Sequence, residues 1–119
     1  MLGQRPITTI KVFDAEVLAA EGVALSPVID LREINQNNNF SLEYTSVGTG
    51  TLEIKYLVCS TKGGTYLDTG TALGTTLAAG SDLIAFASGE PFLAPFMKIR
   101  IEEDGDANGI TVTARLNVQ

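Results

Sequence analysis

The sequence predicts an all-β fold: an antiparallel two-sheet β-sandwich, jelly-roll-like, with about seven or eight short strands. Three observations predict it. Short runs of residues alternate between apolar and polar, clusters of Gly, Asn, Asp and Pro separate the runs, and no fixed-period repeat or long helical pattern is present. Because successive side chains leave a strand on opposite faces, such alternation indicates strands with one buried face.

The first third of the chain predicts two strands. Residues 7–13 are rich in Thr, Ile, Val and Phe, which favour strands. Residues 14–22 are predicted as a loop, with a short helical turn capped by Asp14 as the alternative. Residues 24–31 form the second predicted strand, where Pro27 marks an edge or a bulge because proline cannot donate to a strand ladder.

The middle of the chain predicts a meander and then a long loop. Residues 40–45 and 52–58 alternate strictly, and the glycine-containing turn between them predicts that the two strands pair. Residues 60–81 are rich in Thr, Gly and Ala, so they are predicted as a long loop with one short strand at 65–68. Residues 82–87 are predicted as a strand buried on both faces.

The clearest alternation lies in residues 94–118, which predict the central hairpin of the fold. Asn108 and Gly109 separate its two runs, and this pair is a strong hairpin signal because tight turns need positive φ. Glu102 and Glu103 are neighbours on a strand and therefore point to opposite faces. The inward-facing residues are Met97, Ile99, Ile101, Ile110, Val112, Ala114, Leu116 and Val118.

Length, charge and hydropathy predict one folded domain that binds neither nucleic acid nor membranes. At 119 residues the chain can bury its own core, so residues 7–119 are predicted as a single sandwich and residues 1–6 as an N-terminal arm. The net charge of −6 opposes contact with nucleic-acid phosphates. The apolar runs fall far short of the roughly 20 residues that span a bilayer, and no secretory signal pattern is present.

The residue inventory predicts neither an enzyme nor a cofactor. Cys59 is the only cysteine and histidine is absent, which excludes disulfide scaffolds, His-dependent triads and zinc sites built from several Cys or His. No pattern brings a nucleophile, a base and an oxyanion donor together, so no catalytic residue is predicted.

One segment has a partial metal-binding pattern. Asp104, Asp106 and Asn108 place oxygen ligands at alternate positions, as in the first half of a calcium loop. Arg115 stands where such a loop needs a bidentate Glu, and a strand follows in place of a helix. A turn with solvated acids explains these residues, so no metal is predicted and calcium is the alternative.

Carbohydrate binding is one function that the sequence allows, as the alternative to a structural role without a small-molecule ligand. Sugar sites in sandwiches present aromatic rings beside polar side chains. The chain has no Trp, and Tyr44 and Tyr56 are predicted to face inward, which leaves Tyr66 as the exposed ring.

Four segments carry a resemblance to a known class of protein. Residues 40–42 (FSL), 50–56 (GTLEIKY), 96–101 (FMKIRI) and 110–114 (ITVTA) resemble the small accessory β-sandwich structural proteins of tailed bacteriophages, of the capsid decoration or cement type. The resemblance implies a non-enzymatic virion protein that is made in the host cytoplasm and binds other virion proteins, above all the major capsid protein. It assigns no functional residue.

The arm and the long loop are predicted to contact partners, including copies of the same chain in a homo-oligomer. Both segments have too few large apolar residues to fold against their own domain, and such segments can become ordered on a neighbour. The candidate contact residues are Met1, Leu2, Arg5, Tyr66, Leu67, Leu73 and Leu77.

Overall fold

The computed structural model describes residues 7–33, 39–105 and 108–119, apart from the side chain of Glu33. Within these ranges the chain forms nine strands and one short 3₁₀ helix. The strands are β1 (Thr8–Leu18), β2 (Val23–Leu25), β3 (Ile29–Asp30), β4 (Phe40–Gly48), β5 (Leu52–Cys59), β6 (Leu67–Leu77), β7 (Gly80–Ala85), β8 (Phe96–Glu103) and β9 (Ile110–Val118), and the 3₁₀ helix is Leu31–Glu33. No helix in these ranges is long and apolar enough to cross a membrane.

The strands form two antiparallel sheets that pack face to face. Sheet A has the order β1-β9-β4-β7, and sheet B has the order β2-β8-β5-β6, with β3 also paired to β8. The pairs are nested in the sequence: β5 pairs with β6, β4 with β7, β2 with β8 and β1 with β9. This is the topology of one long hairpin rolled up into two layers, a jelly roll. The fold class predicted from the sequence is confirmed.

Two predicted hairpins are wrong, although their strands are right. β8 lies in sheet B and β9 in sheet A, so the chain between them crosses from one layer to the other. β4 and β5 are separated in the same way. All four strands have a neighbour on each side, which explains their regular apolar faces. A local turn signal shows where the chain reverses but does not show that the flanking strands pair.

The core lies between the two sheets. The eight predicted inward-facing residues of β8 and β9 are all buried, as are Phe40, Leu42, Tyr44, Leu52, Ile54 and Tyr56 from β4 and β5. Phe86, which follows β7, closes one end of the core with its ring centroid 5.6 Å from those of both Phe40 and Tyr56. Burial of these side chains supplies the main favourable term in folding.

The outer strands are where the sequence prediction is wrong. β1 continues to Leu18 through the predicted loop, with register shifts at Phe13 and a positive φ of 52° at Ala15. An extra residue in a bulge shifts the side-chain alternation, so the pattern no longer shows the strand. β6 occupies half of the predicted long loop, well beyond the short strand predicted at 65–68, and also has irregular register. β7 is an edge strand with Leu83 58% exposed, so it is not buried on both faces.

Pro27 divides the predicted second strand into β2 and β3, which both pair with β8.

The connections between strands lie at two opposite ends of the sandwich. The β3–β4, β5–β6 and β7–β8 connections lie at the first end, and the β1–β2, β4–β5, β6–β7 and β8–β9 connections lie at the second end. The predicted arm, residues 1–6, is outside the described residues.

Candidate interaction surfaces

The outer face of sheet B carries a network of charges on the three neighbouring strands β8, β5 and β6. Lys55 lies 3.4 Å from Asp68 and 4.0 Å from Glu53, and Arg100 lies 3.8 Å from Glu53 and 3.1 Å from Glu102. All five side chains are partly exposed, so each pair adds at most about 1 kcal/mol to stability. Its three carboxylates exceed its two cations, so the middle of this face carries a small negative charge.

Towards the first end, the same face carries two cations stacked on aromatic rings. The Arg32 guanidinium lies 4.7 Å from the centre of the Phe96 ring, and the Lys98 ammonium lies 4.5 Å from that of Tyr66. The Tyr66 hydroxyl donates a hydrogen bond of 2.8 Å to the carbonyl of Lys62. These contacts fix the positions of both rings and of the turn that contains Lys62.

Asp30 is the carboxylate of this cluster. Arg32 donates to both of its oxygens, from Nε at 3.0 Å and from Nη2 at 2.9 Å. The side-chain hydrogen bonds from Arg32 hold the pKa of Asp30 below its usual range, helped by the backbone N–H and charge of Arg32 and by the charge of Lys62. Asp30 therefore neutralises part of the positive charge that Arg32, Lys62 and Lys98 bring to this region.

Tyr66 is the ring that the sequence singled out for carbohydrate binding, and Tyr44 and Tyr56 are buried as predicted. One face of the Tyr66 ring is occupied by Lys98. Phe96 is buried and has Arg32 over its ring. A sugar could stack on Tyr66 only from its other face or after Lys98 moved away.

Cys59 lies beside this cluster with its thiol free and half-buried. Its sulfur is 3.7 Å from the Thr61 hydroxyl. A hydrogen bond from the backbone of Thr61 is the main influence that lowers the pKa of the Cys59 thiol. No second cysteine exists in the chain, so the thiol cannot form an intrachain disulfide.

An apolar loop lies between β7 and β8 at the first end. Phe92 is 50% exposed and Leu93 is completely exposed. The loop is nevertheless anchored, because the Phe92 N–H donates to the hydroxyl of the buried Tyr56 at 3.2 Å and Pro91 is itself buried. A shallow groove runs beside Leu93, lined by Leu31, Arg32, Ala94 and Pro95.

A larger pocket of about 490 Å³ lies on the other side of this loop, lined by Asn39, Phe40 and the 85–90 segment. The Oε2 atom of Glu90 is buried there without a hydrogen-bond partner among the described residues. The other polar side chains that line the pocket are Asn39 and Ser88, and neither carries a charge. The pocket therefore contains one carboxylate, that of Glu90, beside two neutral polar side chains.

The predicted contact residues divide into three groups. Tyr66 and Leu67 lie at the surface of sheet B, with Leu67 63% exposed. Leu73 and Leu77 pack against the core, so the argument that the 60–81 segment lacks anchors in its own domain is wrong. Met1, Leu2 and Arg5 lie outside the described residues.

The weak calcium candidates lie at the second end. Asp104 is exposed, and its backbone N–H and carbonyl are bound to the carbonyl and hydroxyl of Thr51. Asp106 lies outside the described residues. Among the residues that the structure does describe, no group of three Asp, Glu, Cys or His is close enough to hold a metal ion.

Three edge strands, β7, β6 and β1, carry features that hinder further strand pairing. On β7 the Leu83 N–H is taken up by the neighbouring Asp82 carboxylate at 2.8 Å and is not offered to another strand. β6 is irregular in register, and β1 carries bulges and Lys11. These are devices that discourage strand pairing between molecules. Contacts through the faces and ends of the sandwich are thus better supported than contacts through its edges.

Comparison with known proteins finds a distant structural likeness and no sequence match. The sequence matches no protein-family model and no curated protein. Among solved structures, the chain is similar to a family 29 carbohydrate-binding module, a mutant complexed with mannohexaose. The likeness covers 94% of this chain and 93% of that one, with a TM-score of 0.45 and 12% identity. It is too distant to transfer a ligand from one protein to the other.

Proposed function

We propose that this protein is a non-enzymatic structural protein of a tailed-bacteriophage virion, a decoration-type subunit that binds the capsid and copies of itself. The proposal combines the resemblance of four sequence segments with the presence of exposed, anchored apolar residues on a jelly-roll sandwich. The fold is compatible with the role, since jelly rolls occur in viral capsid proteins, but it also occurs in lectins and cupins.

The observation that carries the proposal is the pair Phe92 and Leu93. Covering a large apolar side chain stabilises a complex by about 1.5–3 kcal/mol, so two neighbouring exposed ones form an effective contact point. The hydrogen bond from Phe92 to Tyr56 and the burial of Pro91 hold this contact point in place before binding. Binding then costs less conformational entropy than it would for a mobile loop.

Quantitative mass spectrometry of purified virions tests the proposal directly. A decoration protein is present in many copies per particle, in a fixed ratio to the major capsid protein. In a second measurement, purified chain is added back to particles that lack it. Absence from virions, together with no binding to such particles, would rule out the virion role.

A matched pair of variants tests the contact point. Leu93→Ser removes the completely exposed side chain, and Leu83→Ser removes an exposed leucine from the edge strand β7. We expect Leu93→Ser to weaken binding to particles by about tenfold or more, and Leu83→Ser to bind like the native chain. Equal weakening by the two variants would show that the loop has no special part in binding.

The second candidate function is a carbohydrate-binding module. The partly exposed Tyr66 ring beside Lys62 and Asp30 favours it, because an aromatic ring flanked by polar groups can hold a sugar. Titration with a panel of soluble oligosaccharides distinguishes the candidates. Saturable binding that is lost in Tyr66→Ala, in a chain absent from virions, would favour the carbohydrate role.

A further inference from the structure

Cations and carboxylates are distributed unevenly over the protein. Five of its eight basic residues lie on or beside the outer face of sheet B: Arg32, Lys55, Lys62, Lys98 and Arg100. Lys55 and Arg100 are engaged in the charge network in the middle of this face. Arg32, Lys62 and Lys98 lie at its first end, and we name these three residues the cationic patch.

The cationic patch carries more positive charge than its described surroundings neutralise. Asp30 is its one described carboxylate and is held by Arg32. Lys62 and Lys98 have no described carboxylate within salt-bridge distance, and the Lys98 ammonium lies over the Tyr66 ring.

The second end of the sandwich carries the opposite charge. Glu16, Glu21 and Asp104 are exposed there, and none of them has a described Lys or Arg within salt-bridge distance. The loops of Glu21 and Asp104 adjoin, since Glu103 accepts a hydrogen bond from the Glu21 N–H and donates one to the Gly22 carbonyl. We name this region the acidic end.

The two regions cannot neutralise each other within one molecule. β8 runs from the cationic patch, at Lys98, to the acidic end, where Asp104 follows its last residue. At about 3.3 Å per residue these positions are roughly 20 Å apart, more than twice the Debye length of about 8 Å at physiological salt. The complementary charges can come together only between molecules.

We propose that copies of this protein bind head to tail, with the cationic patch of one copy on the acidic end of the next. The contact pairs Lys and Arg of one copy with Glu and Asp of the next, and such charge complementarity gives an interface its specificity. It uses two different surfaces of the same chain, so repeated contacts generate a ring or an open row. The inference rests on the proposed structural role and specifies how neighbouring subunits would meet.

Paired charge reversals test the head-to-tail contact. Lys62→Glu with Lys98→Glu makes the cationic patch negative, and Glu16→Lys with Glu21→Lys makes the acidic end positive. In a solution of either double variant alone, the two surfaces that should meet carry charges of the same sign. Self-association of that variant should therefore be at least about tenfold weaker than that of the native chain. In an equimolar mixture each reversed surface meets a complementary one, and association should return.

The matched control is Lys11→Glu with Arg115→Glu, two exposed cations on the outer face of sheet A. Each reversal lowers the net charge by 2, so this control and the patch variant both stand at −10 against −6 for the native chain. The control should associate like the native chain. Circular dichroism of every variant establishes that the sandwich is folded before association is compared.

Sedimentation velocity at rising protein concentration, in about 50 and 500 mM NaCl, gives the readout, and native association should weaken at the higher salt. Three results would overturn the inference: no native association at millimolar concentration, no recovery in the mixture, or equal weakening in the control. The virion role is tested separately by the particle measurements. A chain that is abundant on virions but fails the mixing test keeps that role and loses the head-to-tail contact.

Discussion

The Oε2 atom of Glu103 accepts a hydrogen bond from the backbone N–H of Thr51 at 3.1 Å. Its Oε1 atom accepts another from the N–H of Glu21 at 2.9 Å, and the whole side chain is buried. One carboxylate therefore joins the end of β8 to the β1–β2 and β4–β5 connections. A Cβ atom on Gly50 would lie 2.9 Å from this Oε2 atom, so the glycine leaves the space that the carboxylate occupies.

Removing this carboxylate should destabilise the fold. Glu103→Ala leaves two backbone N–H groups without their acceptor, which we expect to lower the free energy of unfolding by about 2–4 kcal/mol. Urea unfolding measures the change. Glu102→Ala, one residue earlier on the outer face, is the matched control and should lower it by no more than about 1 kcal/mol. Equal losses in the two variants would show that the buried hydrogen bonds are unimportant.

Replacing the completely buried Val112 by Asp should prevent folding. An unpaired buried carboxylate costs several kcal/mol, which is a large part of the 5–15 kcal/mol that a domain of this size has in total. Thr111→Asp places the same side chain on the outer face of β9 and should remain folded. The melting temperature of each variant, monitored by fluorescence, tests these two expectations. An unchanged melting temperature in Val112→Asp would contradict the observed burial.

Arg32 should control the titration of Asp30. Since Arg32 lowers the pKa of this carboxyl, Arg32→Ala should raise it, which a carbon-detected NMR titration of the side chain can follow. The pair contributes stability above the pKa that Asp30 has in the unfolded chain, and that contribution is lost as the pH falls through the lower pKa of the folded state. Arg115→Ala, at the ion pair with Glu43 on the outer face of sheet A, should leave the titration of Asp30 unchanged.

Deleting residues 1–6 should leave the sandwich intact and weaken its assembly or its binding to particles. The first described strand begins at Thr8, so the deletion leaves every described strand in place. We expect the melting temperature to be the same as that of the full chain, while binding to particles falls. If the shortened chain assembles and binds as well as the full chain, the arm has no role in assembly.

The parts of the fold that could be predicted from sequence are those in which local alternation reflects burial. Met97, Ile99 and Val112 belong to strands with a neighbour on each side, and their inward direction follows from period-two spacing alone. Periodicity shows which face of a strand is buried, but it does not show which strand lies beside it. For this reason, periodicity could not predict that the chain crosses from one sheet to the other between β8 and β9.

The outer strands and the surface cluster could not be predicted for related reasons. The positive φ at Ala15 interrupts the alternation of β1, and the many small residues of β6 give little contrast between its two faces. Tyr66 could be recognised as an exposed ring. Its contact with Lys98 depends on the spatial order of β8, β5 and β6, which no local pattern contains.

The nested strand pairs also determine when this chain can fold. Thr8 at the start of β1 pairs with Val118 at the end of β9, and β9 lies between β1 and β4 in sheet A. While the ribosome has yet to release β9, β1 and β4 have no partner between them, and their apolar faces stay open to solvent and to other nascent chains. Such long-range pairing slows folding to milliseconds or seconds, so we expect sheet A to form only after synthesis of the last strand.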